Sequence, residues 1–156
     1  MRATITSALL LASVLTLSVI PVSKGQERPT IDSSSFEKGA VLKADWKNVG
    51  LNKPSDTLMT FMWAMKEGNM DVLLECYDPK IITQPAYSSD SFKQELKAGA
   101  DKATSLQIVA VNEIDSDYIA VIFLVGGWHD KPLAHKFRRI NDQWKIDGEC
   151  TTEAAP

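Results

Sequence analysis

Residues 133–150 (LAHKFRRINDQWKIDGEC) constrain the fold more than any other stretch. Two alternating runs flank Asn141-Asp142, residue types that tolerate the positive φ of a two-residue hairpin loop. With that loop, Ile140 faces Gln143, Arg139 faces Trp144, Phe137 faces Ile146 and His135 faces Gly148. One face then carries His135, Phe137, Arg139, Trp144, Ile146 and Cys150, which predicts the buried side. The other carries Lys136, Arg138, Lys145, Asp147 and Glu149, which predicts the solvent side. Lys136 opposite Asp147 would be a cross-strand ion pair worth roughly 0.2–1 kcal/mol. A slip of one residue would bury the charges, so the register is strongly specified.

Upstream of the hairpin the period differs. Leu58, Phe61, Met62 and Met65 recur at helical spacing after Pro54, with Ser55 or Asn52 as cap and Gly68 as terminator. Asn69 then caps a short helix bearing Leu73, Leu74 and Tyr77, which Asp78-Pro79 stops. Lys80 to Gln84 reads as a short strand, and Ser91 with Gln94 as a weak capping box for a third helix over 92–102. From Ser105 the period is two. A strand over 106–114 places Leu106, Ile108 and Ala110 on one side and Val109 and Val111 on the other. A second, over 118–128, is apolar on both faces and ends in a Gly126-Gly127 bend. Helices followed by three to five antiparallel strands predict an α+β fold with a curved sheet over N-terminal helices.

The first residues form a targeting pattern. Arg2 precedes an uncharged apolar run, and Ser23-Lys24-Gly25 offers small residues for cleavage before Gln26. The expected division is a signal peptide at 1–25, an irregular linker or arm at 26–50, one domain at 51–150 and a short disordered tail at 151–156. The run is short for a membrane span, which takes about 20 apolar residues. Export to a periplasmic or extracellular location is the expectation, with retention as a membrane anchor as the alternative. Of the 17 basic residues, Arg2 and Lys24 lie in the leader, leaving 15 against 20 acidic ones. That balance excludes a basic nucleic-acid-binding face.

Cys76 and Cys150 are the only cysteines. An exported chain meets an oxidising compartment, so they are candidates for a disulfide worth roughly 4 kcal/mol of loop entropy. Two buried free thiols are the alternative. Two cysteines and two histidines at scattered spacing make no metal motif, and no cofactor signature is present.

The order of elements resembles the nuclear transport factor 2-like superfamily, which includes the SnoaL-like polyketide cyclases. The residues that carry the resemblance run from Pro54 to Asp78, with their helix–Gly68-Asn69–helix, and include the closing strands 137–140 and 144–147. Trp46-Lys47-Asn48-Val49-Gly50 with residues 57–66 (TLMTFMWAMK) is also similar to a set of exported bacterial proteins of no assigned activity. The resemblance covers about residues 46–150 and implies a cone-like fold. It also implies either a noncatalytic binding or dimerising domain, or an isomerase, dehydratase or cyclase with an acid–base group inside the cone.

Pocket candidates follow from the register and the helix faces: Trp63, Tyr87, Tyr118, His135, Arg139 and Trp144. His135 is the best candidate for a general base, since an imidazole titrates near neutral pH, with Arg139 or Tyr118 as its partner. A structural histidine is the simpler account. Arg139 would stack on Trp144 or bind an anion. The leading expectation is a noncatalytic exported domain that binds a small apolar ligand or a partner protein, with a homodimer through the doubly apolar strand. The rival is a cofactor-free isomerase or cyclase.

Overall fold

The computed structural model describes residues 39–150. The leader at 1–25, the first half of the arm and the tail at 151–156 lie outside them. The order is β1 (Val41–Leu42), a 3₁₀ turn (Lys43–Asp45), α1 (Pro54–Glu67), α2 (Met70–Glu75), α3 (Pro79–Ile82), α4 (Pro85–Ser88), α5 (Asp90–Lys102), β2 (Ser105–Glu113), β3 (Tyr118–Gly126), β4 (Leu133–Ile140) and β5 (Gln143–Glu149).

The helix boundaries have local causes. Pro54 opens α1, where its missing N–H costs nothing, and Gly68 closes it at φ +67°. The Asn69 side chain accepts the Val72 amide at the start of α2. Residues 80–84 are a correction: they are helical and turn, not a strand. Asp78 accepts the Lys80 amide and Pro79 sits at the first helical position, so a cap outweighs the β-branched pair Ile81-Ile82. The third predicted helix starts earlier, at Asp90, because Ser89 rather than Ser91 caps it through the Phe92 amide.

All five strands form one open antiparallel sheet in sequential order, and the class is α+β. The expected cone with its helices ahead of the sheet is corrected. A strand, β1, precedes the helices and forms one edge, and the sheet does not close. Two residues of β1 carry no readable period, so the arm shows no strand signal. Trp46 of that arm is 2% exposed and its indole N–H donates to the Val41 carbonyl.

The last hairpin turns at Asn141 and Asp142, with φ of 49° and 62°, and pairs Arg139 with Trp144 and Phe137 with Ile146. A bulge then shifts the register, so Lys136 faces Gly148 and His135 faces Glu149. A second bulge sits in β2 between Ile108 and Ala110. It returns Val111, opposite the core residue Val121, to the side of Leu106 and Ile108, in place of Ala110. On the far edge, the α2–α3 connection lies beside β5: Asp78 N donates to Ile146 O at 2.8 Å and Ile146 N to Cys76 O at 2.7 Å.

The helices pack on one face of the sheet. Leu58, Phe61, Met62 and Met65 of α1 meet Val121, Val125, Phe137 and Ile146 in one apolar core. Two buried threonines of α1 add directed contacts. Thr57 Oγ1 donates to the Trp144 carbonyl at 2.6 Å, and Thr60 Oγ1 donates to the Gly50 carbonyl while accepting the Val49 amide.

Gly99 of α5 lies under Trp128, and a methyl group there would overlap the indole. Gly99→Ala should therefore destabilise the protein by about 1–3 kcal/mol despite the better helix former. In a Trp128→Ala background the same change should stabilise by up to about 1 kcal/mol. Urea unfolding of the four proteins of this cycle measures both signs.

Candidate binding pocket

Where β1, the 3₁₀ turn and the first turns of α1 meet β2, a half-open pocket of about 350 Å³ is left. Its apolar surface comes from Val41, Val49, Met59, Leu106 and Ile108, and its polar surface from Asp45, Lys47, Ser55 and Asp56. The sheet supplies Leu106 and Ile108 because the alternation of β2 before its bulge aims them at the helix side. Met59 comes from the flank of α1, off the stripe that fills the core. Ser55 Oγ is buried and has no hydrogen-bond partner. Burial raises the Asp56 carboxyl above its ordinary range, with Lys53 working against it.

An apolar cavity of a few hundred Å³ with a small polar group set is the usual form of a small-molecule site. Sequence reading missed it because its walls come from segments around residues 41, 55 and 106. The one local signal was Ser55-Asp56 in the first turn of a helix that the side chain at its N-cap position, Lys53, does not cap.

The residues expected to share a pocket do not come together. His135 is on the helix side of the sheet, opposite Val121 and Glu149, with its ring edge-on to Phe123 at 5.1 Å. Its Nδ1 is buried without a partner, and burial lowers its pKa to about 4. Tyr118 faces the other way and lies under Lys136 Nζ (5.0 Å) and Arg138 (5.8 Å). Arg139 is four residues along the strand from His135, about 13 Å away. Its guanidinium pairs with Asp142 at 2.8 Å. The expected pairing of His135 with Arg139 or Tyr118 is thus not assembled. A base is most effective with a pKa near the working pH, and an imidazole near 4 is far from it.

Tyr87 joins Tyr77 and Phe92 in an edge-to-face aromatic cluster, with centroids 5.3 and 5.0 Å away. Trp63 and Trp144 are core packing, and the Trp144 amide donates to Leu51 O. Cys76 and Cys150 are both free, so the disulfide is not formed. Cys76 lies beside Ile146, four strand residues or about 13 Å from Cys150, whereas a bridge needs Cα atoms within about 7 Å. Burial pushes the Cys76 thiol up to about 12, outweighing the nearby Lys145, so it is no nucleophile.

The outer face of the hairpin is not simply solvated. The Asp78 and Asp147 side chains are only 3% and 2% exposed beneath Lys80, Lys136 and Arg138. Burial alone would raise the Asp147 carboxyl, but Lys136 at 2.8 Å and Lys80 at 2.5 Å outweigh it and hold it below its ordinary range. Lys145, expected in solvent, is buried and donates to the Glu75 carbonyl at 2.6 Å. Among the described residues no group of three His, Cys, Asp or Glu is placed to hold a metal ion, and no helix is long and apolar enough to cross a membrane.

No family model matches the chain, and no curated protein does. A similar solved structure is the solution structure of RPA3114, a SEC-C motif containing protein from Rhodopseudomonas palustris. It shares 17% identity over 64% of this chain and 80% of that chain, with a TM-score of 0.47. At that score the likeness carries no argument about fold or function. The resemblance to the nuclear transport factor 2-like superfamily is corrected: no family model matches the chain, and in place of the implied cone there is an open five-stranded sheet with a strand ahead of the helices.

His135 predicts the acid response. Its folded pKa is about 4 against an ordinary 6.5, so below about pH 6.5 the unfolded chain takes up the proton first. Stability should fall as pH drops from about 6.5 to about 4, by at most about 1.4 kcal/mol per pH unit. His135→Leu should flatten that slope relative to wild type, as thermal unfolding across the range would show.

Proposed function

We propose that this protein is a noncatalytic binding domain that takes a small, largely apolar ligand into the pocket between β1, α1 and β2. The observation that carries this is the pocket itself: about 350 Å³, apolar on the sheet side, polar on one rim. The unpartnered Ser55 hydroxyl at its wall favours a ligand with one hydrogen-bonding head group. The reading includes export, supported by the charged and apolar leader pattern of residues 1–25. An enzymatic reading through His135 is not favoured, because burial lowers the pKa of its imidazole to about 4 and its Nδ1 has no hydrogen-bond partner.

The test uses 1-octanol and benzyl alcohol as probes in amide chemical-shift mapping. Both should shift Val41, Met59, Leu106 and Ile108. Met59→Trp fills the pocket and should weaken binding by about tenfold or more, equal to about 1.4 kcal/mol. Ser55→Ala should weaken the alcohols by about 1 kcal/mol and leave a hydrocarbon of the same size unaffected. Shifts confined to Tyr77, Tyr87 and Phe92 would sink the proposal.

A further inference from the structure

The last hairpin and the α2–α3 connection bring three cations together on the face of β4 opposite Phe137, away from the apolar core. Lys80 comes from α3, and Lys136 and Arg138 come from β4. Alternation puts residues 136 and 138 on one side of the strand, about 7 Å apart. In the β4–β5 ladder Phe137 pairs with Ile146 but Lys136 pairs with Gly148, which leaves Asp147 as the extra residue of a bulge. The Asp147 and Asp78 side chains are almost fully buried, and each holds two of the cations. Asp147 takes Lys80 at 2.5 Å and Lys136 at 2.8 Å, and Asp78 takes Lys80 at 3.5 Å and Arg138 at 3.3 Å. Cations that share a carboxylate at such distances lie within about 8 Å of each other. The Tyr118 ring supports the group from β3, with Lys136 Nζ 5.0 Å and Arg138 5.8 Å from its centroid.

The charges do not cancel, and the donors are not used up. Asp78 and Asp147 are the carboxylates that act on Lys80 and Arg138. Two negative charges therefore stand against three positive ones. Lys145, across from Arg138 on β5, adds a fourth cation, whose Nζ is bonded to the Glu75 carbonyl and which the Glu75 carboxylate balances. Asp115 and Asp117 occupy the exposed turn ahead of Tyr118, with the Asp115 carboxylate turned to the Asp117 amide. An ammonium has three N–H donors and a guanidinium five. Arg138 meets Asp78 through a single hydrogen bond from Nη1, not through the two-pronged contact that pairs these groups most strongly. The side chains of Lys80, Lys136 and Arg138 are all exposed, so their remaining donors point to the surface.

We propose that Lys80, Lys136 and Arg138 form a binding site for a phosphate-type oxyanion, seated above the buried carboxylates and separate from the pocket at β1. Asp78 and Asp147 hold the cations from below, so the site is formed before the ligand arrives. Three cations converging from two elements suit a tetrahedral group with acceptors on three sides better than a planar carboxylate with two oxygens. The anion also offsets the excess positive charge.

The test is an amide chemical-shift titration of the full chain with inorganic phosphate at constant ionic strength and about pH 7.5, where phosphate is mostly dianionic. Acetate and glycerol 3-phosphate are titrated alongside. Phosphate should shift residues 80, 118, 136 and 138 saturably and bind about tenfold tighter than acetate. Arg138→Gln should weaken phosphate about tenfold, and Arg138→Lys, which keeps the charge and loses the fork, by about threefold. If Arg138→Gln fails to fold, the acetate comparison on the unaltered protein decides alone. Acetate binding as tightly as phosphate overturns the proposal. So do shifts spread equally over Lys43, Lys47 and Lys53, which mark screening of surface charge and no site. Glycerol 3-phosphate binding as tightly as phosphate gives the site to a terminal monoester, and its exclusion gives it to the free ion; both outcomes uphold the oxyanion assignment.

Discussion

Two buried threonine hydroxyls on one helix hold this molecule's parts in relation to one another. Thr57 ties α1 to the Trp144 carbonyl in β5, and Thr60 ties the same helix to Gly50 and Val49 in the arm. Apolar packing alone would let α1 slide or rotate over the sheet, because burial has no preferred direction. A buried hydroxyl cannot slide without losing its partner, which costs about 1–3 kcal/mol. The arm, the helix and the sheet are thereby set at one spacing, and the corner pocket is the space this spacing leaves.

What could be read beforehand was whatever depends on neighbours in sequence. Asn141-Asp142 specified the turn, the turn specified Arg139 opposite Trp144, and Gly68-Asn69 marked both an end and a beginning. Both bulges escaped because period-two reasoning assumes an unbroken ladder, and one inserted residue reverses every later assignment. That is why Val111 rather than Ala110 reaches the core, and why His135 faces Glu149 rather than Gly148. The family resemblance failed for a related reason. It rested on a helix–turn–helix and a hairpin, local units that recur across many α+β folds. The pocket could not be read because three distant segments build it.

The hairpin also shows how far a face assignment goes. Its charged side was expected to be solvated, and the charges are there, but the carboxylates lie beneath the cations. Long basic side chains can cover small apolar residues such as Ala120 and Ala134 and still reach water at their tips. Two carboxylates shared among three cations form a network in which no one pair is isolated. On the opposite side His135 is neutral and serves packing against Phe123.

The bridge between residues 76–78 and β5 has a kinetic consequence. The β4–β5 hairpin needs only a two-residue loop and forms from neighbouring residues. Its contact with the Cys76–Asp78 segment closes a loop through α3, α4, α5 and two further strands, β2 and β3. Loop-closure entropy opposes that contact until the intervening elements are compact. The hairpin is therefore an early platform, and the far edge is sealed among the last steps of folding.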